Sequence, residues 1–331
     1  MLKSARVRPA VLVVSAVGAL ALLLTACSAA DSGGNGSGNK PAPTVTVTGS
    51  GSGSSSSSAA TSTAPAKPTK KVHIKLLNAD GSVFGIGMPE IAYFSRKIHS
   101  GAALQKATTV TVNGKPAKGA WYFERSAAYK GYPVEGHFRL QHYWPAHSKI
   151  FIKIPAKGLS AGGNMVYDDS LTSSWSTGAS HIATVDDSSH TLTLTVNGHK
   201  EGTYPVSLGA SNTPTKRGTK VIMEKGASIC MSGPGYDECG IQWTQRLTYD
   251  GEYLHSAPWN VSNIDNGVDS SNVCTNLLPS DAEKLYHILR IGDVVTYPNA
   301  NGPAMQLGSG YGDWNVPWST WLTGGFAHTD A

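Results

Sequence analysis

Six residues of this chain, Thr191-Leu192-Thr193-Leu194-Thr195-Val196, alternate strictly between polar and apolar, and Asn197-Gly198 follows at once. A period of two sends Leu192, Leu194 and Val196 to one face of an extended strand. Asn-Gly supplies the two positive-φ positions of a tight hairpin turn. The same grammar recurs upstream. Val110-Thr111-Val112 runs into Asn113-Gly114; Val72, Ile74 and Leu76 alternate with polar residues, as do Phe138 with Leu140, and Ile150 with Ile152 and Ile154. Short alternating strands divided by turn residues predict a mostly β chain: a β-sandwich over 72–178, then a second β-rich unit over 179–300. Further strands are expected at 220–223, 244–254 and 293–297.

One main helix is expected, after Cys274. Ser280 and Glu283 form a Ser-x-x-Glu capping box with Pro279 before it. Ala282, Leu285, Tyr286 and Leu289 share a helical face, and Gly292 ends the element. The segment 301–331 carries Tyr311, Trp314, Trp318 and Trp321 and is expected to pack on the second unit.

The start of the chain reads as an export signal. Lys3, Arg6 and Arg8 precede an apolar run over 10–24, short for a membrane span. Leu24-Thr25-Ala26-Cys27 resembles the lipobox of bacterial lipoproteins, so 1–27 is expected to be a signal peptide whose cleavage leaves a lipid-bearing Cys27 as the first residue. The Gly, Ser, Thr, Pro and Ala of 28–71 have almost nothing to bury; as a flexible coil they reach roughly 35–40 Å, enough to hold a folded part away from a membrane. Charged residues are only 15% of the chain, and the net charge of +5 comes without an arginine-rich run, which argues against a nucleic-acid partner.

Export sorts the four cysteines. Cys27 goes to lipid. Cys230 and Cys239, close together in a Gly/Pro-containing stretch, are expected to oxidise outside the membrane, closing a loop worth about 2–3 kcal/mol. Cys274 is left unpaired, in Ser271-Asn272-Val273-Cys274-Thr275-Asn276, nineteen residues after His255 in Tyr253-Leu254-His255-Ser256-Ala257-Pro258-Trp259. A cysteine nucleophile needs a base, a group to orient that base, and donors for an oxyanion; Cys and His at this spacing carry little information alone. No metal or cofactor is expected: there is no Cys-x-x-Cys or His-Glu-x-x-His, and His137, His142 and His147, five apart, alternate faces if they lie on strands.

The local sequences around Cys274 and His255 resemble the L,D-transpeptidase family, whose signature is a His followed after a loop by Ser/Thr-His-Gly-Cys-x-Asn. The resemblance extends to Asn276-Leu277-Leu278-Pro279-Ser280-Asp281-Ala282, to Ile291-Gly292-Asp293-Val294-Val295, to Gly312-Asp313-Trp314-Asn315-Val316-Pro317-Trp318, and upstream to Thr213-Pro214. It runs over about 180–325, and the preceding sandwich resembles the immunoglobulin-like domain of actinobacterial members. The resemblance implies a fold, an immunoglobulin-like sandwich followed by a β-rich catalytic domain, and a set of roles. Cys274 attacks the carbonyl between the third residue and terminal D-Ala of a peptidoglycan stem peptide. His255 is the base, oriented by the Ser256 carbonyl. The amides of Val273 and Cys274 are oxyanion donors, Asn276 shapes the site, and Tyr236 and Trp259 meet substrate. It implies a monomer that needs no cofactor, anchored to the cell membrane and acting in the wall.

Asn272 and Val273 depart from the family pattern. Asn272 does not titrate near neutral pH as a histidine does, and a valine in place of glycine raises the question of a positive φ. An alternative of another class is therefore a catalytically silent wall-binding lipoprotein on the same fold. A third, a peptidase acting on ordinary peptides, rests on the Cys–His pair alone.

Overall fold

The computed structural model describes residues 70–126, 128–233 and 236–329. The export segment, Cys27 and nearly all of the 28–71 linker lie outside the described residues. Among the described residues, no helix is long and apolar enough to cross a membrane.

The N-terminal unit is an immunoglobulin-like sandwich built from two sheets. One runs Ile74–Leu76, Glu90–Phe94, Val134–Leu140, Gly119–Arg125; the other runs Val83–Phe84, Leu171–Thr177, Lys149–Ile154, Thr109–Val112, Lys115–Ala117. Lys149–Ile154 shows why the layers close. Ile150, Ile152 and Ile154 are buried while their neighbours are exposed. They meet Phe94, Trp121, Phe123 and Phe138 of the other sheet in one core, each isoleucine contributing roughly 1.5–3 kcal/mol. The Asn-Gly hairpins form as expected. Val112 pairs with Lys115 across Asn113 (φ 52°) and Gly114 (φ 76°), and Val196 pairs with His199 across Asn197 (φ 48°) and Gly198 (φ 84°). The folded part starts slightly before Val72: Lys70–Val72 already pairs in parallel with Met165–Tyr167.

The second unit is a nine-stranded sheet in the order Gly218–Val221, Val294–Tyr297, His181–Asp186, Thr191–Val196, His199–Ser207, Thr275–Leu277, Tyr253–Ser256, Tyr236–Arg246, Glu224–Gly233. Two expectations change here. The strand expected over 244–254 is the end of one strand and the start of the next, because Asp250-Gly251 makes a turn with Gly251 at φ 100°. Glu224–Gly233 and Tyr236–Arg246 form a long edge hairpin that the glycines and Pro234 disguise; Cys230 and Cys239 sit opposite each other in it and are disulfide-bonded.

The helix expected after Cys274 is present as Pro279–Ile288 with Ala282 and Leu285 buried, but the capping box does not form. Leu278 occupies the cap without a side-chain bond and Pro279 is the first helical residue, so Ser280 falls two positions too far in to cap. The C-terminal aromatic segment also differs from expectation: much of it packs on the sandwich. Trp321 is fully buried, donates to the Ala120 carbonyl at 2.9 Å and stacks on Tyr122; Trp314 donates to the Gly87 carbonyl at 2.8 Å. Its links to the second unit include Asn315, whose side chain brackets Thr219 through bonds to both its N–H and its carbonyl.

Candidate active site

Two parallel strands bring Cys274 and His255 together. Tyr253–Ser256 pairs with Thr275–Leu277 in the register Leu254 with Thr275, His255 with Asn276 and Ser256 with Leu277. Cys274 therefore stands one residue before the strand that runs beside His255. Parallel neighbours need a crossover; here it runs over 257–274 and contains a one-turn helix, Pro258–Asn260, and a short helix, Val261–Asp265. Cys274, His255, Asn272, Asn276 and Trp259 line one cleft of about 670 Å³. The disulfide hairpin adds Met231, Glu238 and Ile241 to its wall.

The histidine is oriented for base chemistry. Its Nδ1–H donates to the Ser256 carbonyl at 2.8 Å, which leaves Nε2 as the lone-pair nitrogen of a neutral ring. Burial lowers its pKa below the ordinary 6.5, only partly offset by that hydrogen bond, so the ring is neutral at neutral pH. Trp259, 62% exposed, stacks on it at 5.9 Å with 27° between the planes. Tyr236 opens its strand opposite Gly233; its side chain lies outside the described residues.

The cysteine is held in its resting form. Sγ–H donates to the Gly251 carbonyl at 3.5 Å, and burial pushes the thiol up to about 12. Lys220 and Glu252 act on the thiol in opposite senses, Glu252 raising and Lys220 lowering its pKa. These two form a buried ion pair, Nζ to Oε2 2.8 Å, with Nζ 3.8 Å from the centre of the Tyr297 ring. Burial holds the Lys220 ammonium down to about 8 despite its partner.

The backbone before Cys274 is a three-residue turn. Val273 has φ 60°, and the Cys274 N–H donates to the Asn272 carbonyl at 2.8 Å. An i to i+2 bond with positive φ at the centre is the rare, strained form of γ-turn, and a β-branched residue suits it badly. The Val273 N–H is occupied as well, donating to the Thr213 carbonyl at 3.2 Å. Both amides assigned as oxyanion donors are thus bonded to protein carbonyls in the resting arrangement.

What holds this turn was not singled out as site residues by the sequence. Thr213 Oγ1 donates to the Ser271 carbonyl at 3.0 Å, and Thr215 Oγ1 donates to the Val273 carbonyl at 2.9 Å while accepting the Gly209 N–H at 2.8 Å. Gly209 is needed for that approach: a Cβ there would lie 2.1 Å from the Thr213 carbonyl oxygen. Ser271 Oγ closes the other side on the Cys274 carbonyl at 2.5 Å. Thr-Pro-Thr was the available signal, although nothing local says that its hydroxyls reach across about 58 residues. Asn276 is 3% exposed, and its Oδ1 has no hydrogen-bond partner among the described residues.

Residues 180–296 match the L,D-transpeptidase catalytic domain, and residues 38–160 match a bacterial Ig domain. Residues 180–296 form an L,D-transpeptidase catalytic domain. L,D-transpeptidase 2 of Mycobacterium tuberculosis is 30% identical over 258 residues, which cover 75% of this chain and 61% of that protein. L,D-transpeptidase 5 of the same species is 29% identical over 269 residues, covering 77% of this chain and 57% of that protein. This chain thus spans about three fifths of the length of these two relatives. The structure of the L,D-transpeptidase LdtMt1 in complex with imipenem superposes with a TM-score of 0.56 at 25% identity, over 70% of this chain and all of that one.

Proposed function

We propose that this chain is a peptidoglycan L,D-transpeptidase working through a thioester on Cys274. The observation that carries the reading is the pairing of His255 with Asn276, which sets the oriented imidazole and the thiol in one cleft. Both groups are neutral at rest, so proton transfer accompanies attack. The Sγ proton passes to His255 Nε2 as sulfur bonds to the carbonyl carbon between the third stem residue and terminal D-Ala. The tetrahedral oxyanion collapses, the C–N bond breaks, and the D-Ala amine takes the proton from Nε2. An amine on a second stem then attacks the thioester, surrenders a proton to Nε2 and releases the thiol, leaving a link between third residues. Water as acceptor gives hydrolysis instead.

Oxyanion stabilisation by Val273 and Cys274 requires the turn to release at least one amide as substrate enters. The Asn276 Oδ1 is an acceptor for a stem-peptide N–H, and Glu238 in the cleft wall suits an ammonium group. Trp259 is a platform at the rim. Lipid on Cys27 and the 28–71 tether place this domain outside the cytoplasm, in the wall.

The occupied amides and the strongly raised thiol favour a second reading, a silent wall-binding lipoprotein. Intact mass after incubation with a carbapenem, beside a Cys274→Ala control, separates the two. An adduct on the parent alone supports the enzyme, and tetrapeptide stems with D-Ala release as the readout follow. A folded protein that takes no adduct sinks the enzymatic reading.

A further inference from the structure

Away from the cleft, two strands of the sandwich set carboxyl groups against each other. In the pairing of Gly119–Arg125 with Val134–Leu140, Glu124 is directly opposite Glu135, and His137 projects from the same face as Glu135. Opposed carboxylates on neighbouring strands repel, and the repulsion grows as water is removed. Here water is largely absent: Glu135 is 0% and His137 1% exposed. Neither Glu135 oxygen nor Glu124 Oε1 has a hydrogen-bond partner among the described residues. No lysine or arginine among the described residues forms an ion pair with either glutamate.

The histidine is the second, independent pointer. Its Nδ1–H donates to Asp313 Oδ1 at 2.7 Å, which fixes the ring and leaves Nε2 facing the glutamates. Nε2 is itself without a hydrogen-bond partner and stands 3.6 Å from Glu135 Oε1, too far for a hydrogen bond even if it were protonated. A carboxylate on one imidazole nitrogen with the other aimed at free carboxylates is the arrangement that metal-binding histidines show. One ligand atom from each of Glu124, Glu135 and His137 lies within 4.8 Å of the others. Zinc bonds of about 2.0–2.2 Å bring such atoms closer than that, which small rotations of the two carboxylates supply.

We infer that Glu124, Glu135 and His137 bind a divalent transition-metal ion, with Asp313 orienting His137. The imidazole argues for Zn²⁺ or Mn²⁺ over Ca²⁺ or Mg²⁺. Charge balances: three carboxylates are met by the dication and by Arg139, whose guanidinium interacts with Asp313. The metal's role is to fasten the C-terminal segment to the sandwich. Asp313 belongs to that segment, and so does Gly308, where a Cβ would stand 3.2 Å from Glu124 Oε2. Histidine spacing could not show this site, because its other ligands come from glutamates brought together by strand register.

The test uses the full-length chain, stripped with EDTA, given one equivalent of ZnCl₂ or MnCl₂ and gel-filtered. Metal content and the thermal midpoint are then measured. The expected result is one metal ion per chain and a midpoint raised by about 5–10 °C. Glu124→Gln and His137→Gln lose both effects, while Asp269→Asn, in the cluster of Asp187, His190 and Asp269, keeps them. Glu124→Gln keeps the size and shape of the side chain, so its metal-free midpoint lies near that of the metal-free parent, which guards against misfolding as an explanation. A parent that retains no ion and shows no shift overturns the inference. So does retention unchanged in Glu124→Gln and His137→Gln.

Discussion

The Cys274 N–H donates to the Asn272 carbonyl at 2.8 Å across Val273, whose φ is 60°. Cys274 thus sits at the end of a turn that a valine adopts only under strain, at a cost of about 1–3 kcal/mol. Val273→Gly removes that strain and adds back about 0.5–1 kcal/mol of unfolded-chain entropy. The expected net effect is a protein more stable by about 1 kcal/mol in urea unfolding, with faster carbapenem acylation, because a glycine lets the turn rotate its amides towards the oxyanion. Slower acylation in a more stable variant would show that the strained turn is the competent one.

The pH dependence follows from two opposite shifts. Burial lowers His255 below its ordinary 6.5 and raises Cys274 to about 12. The His255 ring is therefore neutral, and the thiol protonated, over the whole range from about pH 7 to 9. Acylation rates are expected to be level there and to fall in acid with a midpoint below 6.5. For stability, the unfolded state binds a proton on this histidine before the native state does. Its contribution is full above the unfolded pKa and is lost as pH falls below it, until the native histidine also protonates. Stopped-flow acylation from about pH 5 to 9 checks the kinetic half; a rate that climbs steadily through pH 8 to 9 would instead mean attack by a thiolate formed without His255.

Thr215 links Gly209 to Val273 through one hydroxyl and is 2% exposed. Thr215→Val leaves a buried N–H and a buried carbonyl unsatisfied, at about 1–3 kcal/mol. If the hydroxyl also positions the nucleophile, acylation slows in protein that is still fully folded, and Thr215→Ser restores both stability and rate. A stability loss with unchanged acylation would reduce Thr215 to a structural residue.

The sequence made legible what local patterns encode. Alternation and Asn-Gly placed the hairpins at Val112 and Val196, and the short sequences around His255 and Cys274 pointed to two segments that line one cleft. What it hid depends on contacts between distant segments. Ser280 and Glu283 read as a cap because the pattern cannot tell that Pro279 starts the helix. The edge hairpin was obscured because turn-forming glycines also occur inside long strands. Lys220 and Glu252 fall in stretches read as ordinary strand, and only pairing shows them as a buried ion pair behind the thiol.

That pair gives the final prediction. Lys220 is 0% exposed and its contact with Glu252 is 2.8 Å. Breaking a buried pair from one side strands a charge, so Lys220→Met is expected to cost about 3–5 kcal/mol, while Lys220→Met with Glu252→Leu recovers most of it. The thiol reports the electrostatics separately. Lys220 lowers and Glu252 raises the Cys274 pKa, so Lys220→Met makes the thiol harder to ionise and Glu252→Gln makes it easier. Iodoacetamide alkylation of Cys274 followed by peptide mass against pH reads this directly, with the two variants displaced from the parent in opposite directions. Curves that coincide would mean that the pair serves the fold alone and that the Cys274 thiol is tuned only by its burial.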